Sequence, residues 1–390
     1  MLGKLQLKML ANLKAVFAAV LFALLAAAGL TFMSDKSETS EWRPGTPLPK
    51  ERVKVGVIHV SDITDAISGY AYAHDMGIRA MQAELGLKTR QIFRKFNISD
   101  TNFAATEHAI RECVMKGANI IIATSWNHMD VCEKLAKEYA GVLFAHGSGI
   151  KHNETNFTNY FGRIYQPRYL SGIVAGMRTV TGKIGYVAAL GKDNSEVTSG
   201  LNAFALGVES VNPKARVYVK VTHRWYDPAG EAEAARTLIE AGCDVIAQHT
   251  NTSTPQIEAQ RAGVWGIGYN SDMKREAPRA VITSVVWNWG FYYTHLVKSV
   301  VDGSFTTAPY LGDLENDMVG LALLDESLLP PGVAEAVIAA EKRIKSGEFD
   351  VFEGVMETND GRFMGREKAR LSYEEIMSTV NWYYRNVVEL

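Results

Sequence analysis

VKVGVIHV (residues 53–60), NIIIATS (119–125) and GVLFAHG (141–147) are short, β-rich and apolar along almost their whole length. A strand that alternates apolar and polar residues has one wet face, whereas an unbroken apolar run is what a strand covered on both faces requires. Helical patterns occupy about 66–85, 103–116 and 129–139 between these runs. The order strand, helix, strand, helix predicts a parallel sheet with helices on both sides.

Working outward, the same grammar repeats. KIGYVAAL (183–190), RVYVKVTH (216–223), DVIAQHT (244–250) and VWGIGYN (264–270) read as strands, with helices at about 196–211, 230–241 and 255–262. The two α/β units join near 163–169, VITSVVW (281–287) leads back towards the first, and a helix follows at 291–302. A strand at 318–325, a helix at 334–346 and a helical tail at 373–388 follow. The expected organisation is two doubly wound parallel-sheet lobes joined by a hinge. Residues 51–165, completed by 288–330 and C-terminal segments, form the first lobe, 166–287 the second, and 331–390 the C-terminal helices and tail.

Composition agrees with a folded, two-lobe protein: 390 residues, 47% apolar, 33 Gly and 11 Pro exclude disorder and collagen. A net charge of −2 lacks the cationic surplus that phosphate neutralisation needs, so no nucleic-acid partner is expected. Lys4, Lys8 and Lys14 precede an almost unbroken apolar run at 15–33, which reads as a secretory signal or an uncleaved membrane anchor. Either places the rest of the chain outside the cytoplasm. Residues 34–50, rich in Ser, Thr and Pro, read as a linker. Cys113, Cys132 and Cys243 form no C-x-x-C pair and read as buried thiols, although a Cys113–Cys132 pairing is left open. Nothing indicates an obligate oligomer, so a monomer is expected.

Ligands of open α/β sheets bind beyond the carboxyl ends of the strands. Here those ends carry Tyr70, Trp126 and Asn127 in the first unit, then Glu196, Trp225, Gln248, His249, Asn270, Asp272 and Trp287. Aromatic faces suit a planar ring, and amides and carboxylates suit its hydrogen-bonding edge. Asp272 and Asp75 also fit plain helix or turn capping. No G-x-G-x-x-G, G-x-S-x-G or H-E-x-x-H motif is present, and GMRTVTGK (176–183) departs from the phosphate-loop spacing. His74, His128, His146 and His249 pair with no nucleophile or metal ligand. No catalytic residue, metal or cofactor is expected.

The segments GYAYAHDMG (69–77), TSWNHMD (124–130), EVTSGLNAF (196–204), RWYDP (224–228), QHTN (248–251), GVWGIGYNSD (263–272) and FEG (352–354) resemble, in order, the basic membrane protein family. These are substrate-binding proteins of ABC transporters for purine nucleosides and bases. The resemblance implies the type I periplasmic-binding-protein clamshell, a purine sandwiched by Tyr70 and Trp225, Trp126 lining the base pocket, and Glu196 and Asn202 in the segment opening the second lobe. Nucleoside binders of the family typically carry Asp at the position of Asn270 and Lys at that of Trp287, both used on the ribose. Their loss here favours a free nucleobase such as adenine. The resulting expectation is a non-enzymatic, extracytoplasmic solute-binding protein that closes on a purine and delivers it to an ABC permease, touching the membrane only through its N-terminal segment. A membrane-anchored ligand-sensing ectodomain is the alternative.

Overall fold

The computed structural model describes residues 42–63 and 68–390, so the apolar N-terminal run, Asp65 and the first two residues of the helix expected from 66 lie outside them; residues 68 and 69 are not helical. The chain divides into residues 1–43 and a compact unit spanning 44–390, whose architecture follows.

The first half runs β1 (Val55–Ile58), α1 (Tyr70–Leu85), β2 (Ile92–Lys95), α2 (Phe103–Met115), β3 (Ile120–Ala123), α3 (Met129–Glu138), β4 (Leu143–Gly147) and β5 (Phe157–Gly162). Every residue of β1, β3, β4 and β5 is buried, which is why these strands show no alternation. β1 lies between β2 and β3, all parallel, with Val55 opposite Ile92 on one side and Ile120 on the other. Ile58, Ile110, Ile121, Leu135, Phe144 and Phe157 share one core with Cys113 and Cys132. Each such aliphatic or aromatic side chain contributes about 1.5–3 kcal/mol by leaving water.

The second half repeats the plan with α4 (Tyr165–Arg178), β6 (Lys183–Ala188), α5 (Ser195–Val211), β7 (Arg216–Val221), α6 (Pro228–Glu240), β8 (Val245–His249), α7 (Thr254–Ala262), β9 (Trp265–Asn270) and β10 (Val281–Trp287). Asn194 and Asp227 cap α5 and α6 by accepting from the N–H groups of Val197 and Gly230, and Pro228 opens the first turn of α6. α4 and α5 approach so closely that a Cβ at Gly207 would lie 2.0 Å from Tyr169 O, and one at Gly172 would lie 2.1 Å from Phe204 O.

The chain then crosses back. α8 (Trp289–Asp302) packs on α1, and β11 (Tyr310–Gly312) pairs with β5, giving the first sheet the order β11-β5-β4-β3-β1-β2. β12 (Val319–Leu321) returns to the second sheet, antiparallel to β10. α9 (Val333–Lys345) lies against α4, and the hairpin β13 (Glu353–Glu357) and β14 (Phe363–Arg370) precedes α10 (Tyr373–Thr379) and β15 (Val387–Glu389). β15 adds to β7, so the second sheet reads β12-β10-β9-β8-β6-β7-β15. The described chain thus passes between the halves after β5, after β10 and after β11.

Several expectations need correction. The 288–330 segment divides: α8 and β11 join the first half, whereas β12 belongs to the second sheet and is shorter than the expected 318–325 strand. The helical tail expected to 388 ends at Thr379, because Asn202 and the edge of β7 claim the backbone of the following residues. The linker expected to 50 is structured in its last residues: Leu48 is buried and its N–H donates to Val300 O at 3.1 Å. The three thiols, by contrast, are free and buried as expected, and Cys113 and Cys132, whose pairing the sequence left open, are not bonded.

Candidate functional site

The carboxyl ends of β1 and β3 present Tyr70 at the first position of α1. Gly69 precedes it at φ 99°, a conformation suited to glycine, and a Cβ there would lie 2.6 Å from Asn251 O of the second half. The Gly69 N–H donates across to Ser271 Oγ at 3.1 Å, so the two halves meet directly at this point. Tyr70 donates from its hydroxyl to Thr124 O at 2.5 Å and sets its ring edge-on to His74, with centroids 4.4 Å apart.

Behind Tyr70 an aromatic column crosses the halves. His74 stacks on Trp289 at 4.2 Å and pairs through Nδ1 with the Tyr293 hydroxyl at 2.5 Å. Trp289 stacks on Trp287 at 4.5 Å, and the Trp287 indole N–H donates to the Tyr269 hydroxyl at 3.3 Å. Trp287 and Trp289 flank the second crossing, so the column couples strand ends of one half to those of the other.

On the second half, Glu196 in the first turn of α5 faces His249 at the end of β8, with Oε1 3.8 Å from Nε2. The Glu196 side chain keeps 20% of its surface exposed. Burial pushes its carboxyl up to about 7, against a downward pull from Arg168. His249 is fully buried; its Nδ1 lies 3.3 Å from the Tyr186 hydroxyl and its Nε2 has no hydrogen-bond partner. Burial, reinforced by Arg168, holds this imidazole well below its usual range and therefore neutral at pH 7. The His249 ring meets Tyr269 at 4.5 Å and Trp225 at 5.8 Å, both edge-to-face. Asn270, buried at the end of β9 with φ 68°, donates to Asn251 Oδ1 at 3.1 Å, while its own Oδ1 is unpartnered.

Glu196, Trp225, His249 and Asn270 thus lie on adjoining strand ends of the second half, and the charge of Glu196 also reaches the Tyr70 phenol of the first. Others of the sequence-derived set are committed elsewhere. Gln248 is fully buried, gives its amide N–H groups to Thr250 and Thr252 and accepts from Gln256 at its oxygen. Both ends of the Asn202 amide hold the C-terminal segment. Asp272 is exposed and caps a turn by accepting from the Lys274 N–H. Trp287 is 5% exposed and belongs to the column. Trp126 is 47% exposed, and Asn127 is exposed with its amide on Asp100. Asp75 is buried: burial raises its carboxyl, but Arg79 and Arg94 outweigh that and hold it below its usual range.

Sequence reading missed Arg168, Tyr186 and Tyr269. Arg168 was the legible one, a single cation ahead of the small and apolar run LSGIVAG of α4.

Two doubly wound halves meeting over aromatic and polar strand ends define a two-lobe binding protein of the type I periplasmic kind. Residues 52–351 match the family described as ABC transporter substrate-binding protein, PnrA-like, and the chain belongs to that family. A purine-binding protein of Brucella abortus is 34% identical over 317 residues, covering 81% of this chain and 88% of that protein. A Haloferax volcanii protein named for glucose binding by an ABC transporter is 33% identical over 312 residues, 80% and 76% of the respective chains. Solved solute-binding proteins share the fold: one from Conexibacter woesei has a TM-score of 0.65 at 20% identity, covering 76% of this chain and 98% of that one. Another, from Aeropyrum pernix, has a TM-score of 0.62 at 20% identity, covering 76% and 92%. The family is extracytoplasmic, takes a small-molecule ligand and works with a membrane permease.

Proposed function

We propose that this substrate-binding protein captures a free purine base such as adenine, rather than a nucleoside, by closure of its lobes, and presents it to an ABC permease. One observation carries the reading. Glu196 and the unpartnered Nε2 of His249 stand 3.8 Å apart beside Trp225. In the tautomer where Tyr186 donates to Nδ1, Nε2 carries the proton and donates, and Glu196, once ionised above about pH 7, accepts. An acceptor next to a donor matches the edge of a base that sets an amino group beside a ring nitrogen, and a ligand lacking that pattern leaves buried groups unpaired.

The ribose side supports the same preference. Position 287 holds an indole engaged on Trp289 and Tyr269 instead of a cation, and Asn270 carries no charge. Tyr70 and Trp225 supply aromatic faces from opposite halves, each worth about 1–3 kcal/mol against a base. The three crossings serve as the hinge, and ligand bridging both halves favours the closed form. The N-terminal lysines and apolar run supply export or anchoring.

Isothermal titration of residues 34–390 against adenine, hypoxanthine, adenosine and glucose tests this. Binding of a base with no heat from adenosine is the expected result. Binding of adenosine but no base would overturn the preference, and binding of glucose alone would overturn the purine assignment.

A further inference from the structure

Arg168 lies on α4, where the chain first enters the second half, and its side chain is wholly buried. Nη1 donates to Gln248 O at 2.7 Å, whereas Nε and Nη2 have no partner. It forms no ion pair within 4.0 Å among the described residues. The guanidinium instead rests over Tyr269 at 4.1 Å and Tyr186 at 5.6 Å from the ring centroids. Aromatic faces offset part of the cost of burying a cation, but a buried charge without a counter-ion remains a liability to the fold. Such a charge is explained by what it does to its neighbours.

Those neighbours are the base-reading pair. A Cβ at Gly200 would lie 2.9 Å from the His249 ring and 3.7 Å from Arg168 Cγ, so α5 is bare where these two side chains press against it, one turn beyond Glu196. The groups whose charge couples to the Glu196 carboxyl come from every surrounding element: Arg168 on α4, Tyr186 on β6, His249 on β8, Tyr269 on β9, Tyr70 on α1 and Tyr373 on α10. Arg168 is the cation among them. A positive charge placed there favours the ionised carboxyl and disfavours a second cation at His249.

We propose that Arg168 is a positioning residue that fixes, through its field and without touching the ligand, Glu196 as acceptor and His249 as neutral donor. The assignment rests on the base-binding reading of that pair. Burial alone pushes Glu196 up and His249 down, so without Arg168 the carboxyl would hold its proton to higher pH and present a donor where the base needs an acceptor.

The test reads the unliganded protein first. Carboxyl-13C NMR of the glutamate-labelled chain, with the Glu196 signal assigned by its loss in Glu196→Gln, gives the Glu196 titration midpoint. In Arg168→Met that midpoint is expected to rise by about one pH unit or more, a tenfold or greater change in acidity. In Arg168→Lys it is expected to stay where it is. Arg168→Met removes an unpaired charge, which offsets the loss of the donor to Gln248 O, so it is expected to melt within a few degrees of the natural chain. Should it fail to fold, Arg168→Gln, which keeps a donor for Gln248 O, carries the same comparison. The pH at which adenine affinity changes must move with the midpoint. An unmoved midpoint, or a moved midpoint with an unmoved adenine profile, would overturn the proposal. Failure of the natural chain to bind any purine would sink the base-binding reading and leave the NMR comparison intact.

Discussion

Asn202 on α5 binds the main chain on both sides of Tyr383: its Nδ2 donates to Trp382 O at 2.7 Å and its Oδ1 accepts from the Tyr384 N–H at 2.9 Å. All three groups are buried, so replacing the amide leaves a carbonyl and an N–H unsatisfied. Asn202→Leu is expected to cost about 2–4 kcal/mol. Urea denaturation measures the cost. Full stability with lost ligand affinity would return Asn202 to the ligand site.

The α4–α5 contact makes a second prediction. With Tyr169 O only 2.0 Å from a Cβ at position 207, Gly207→Ala must push the helices apart. A loss of about 1–3 kcal/mol is expected. A neutral result in thermal unfolding would mean that the helices can slide without loss.

Between pH 4 and 7 two sets of buried groups change stability in opposite directions. Burial lowers His59, His128 and His146 from 6.5 to about 4. The unfolded chain binds protons at these sites between about pH 6.5 and 4 while the folded chain does not, so their stabilisation is present above 6.5 and lost as pH falls through that window. Each contributes about 3 kcal/mol when fully titrated. Glu196 has the opposite sign: raised from 4.5 to about 7, it stabilises most below 4.5 and loses that as pH rises to about 7. Glu196→Gln is therefore expected to gain stability relative to the natural chain between pH 5 and 8, by about 3 kcal/mol at most. Melting curves across that range, with no relative change, would contradict the buried-carboxyl assignment.

Trp225 is partly exposed and packs edge-to-face on His249. Trp225→Ala is expected to weaken adenine binding about 10- to 100-fold, one lost stacking face, while shifting the melting temperature little. Unchanged affinity would remove Trp225 from the site.

Much of this was legible in the residues. The unbroken apolar runs of β1, β3 and β4 announced strands covered on both faces, and the strand-end rule singled out Tyr70, Glu196, Trp225, His249 and Asn270, which the structure places at strand ends. What was not legible depends on partners distant in sequence. Residues 373–388 have a helical composition, yet Asn202 and β7 draw Val387–Glu389 into a strand. Gln248 and Trp287 stand at strand ends like ligand residues, but Gln256, Thr252, Trp289 and Tyr269 had already taken their hydrogen bonds and faces. β11 and β12 are three residues each, too short to show a period.

The three crossings carry a consequence for how the chain acquires its shape. The first sheet draws on residues from Val55 to Gly312 and the second on residues from Lys183 to Glu389, so the stretches interleave and neither sheet is complete without the other's segment of chain. Thr158 Oγ1, for example, donates to Ala308 O, 150 positions away. Loops of that length must close before their contacts reward the closure, which slows folding.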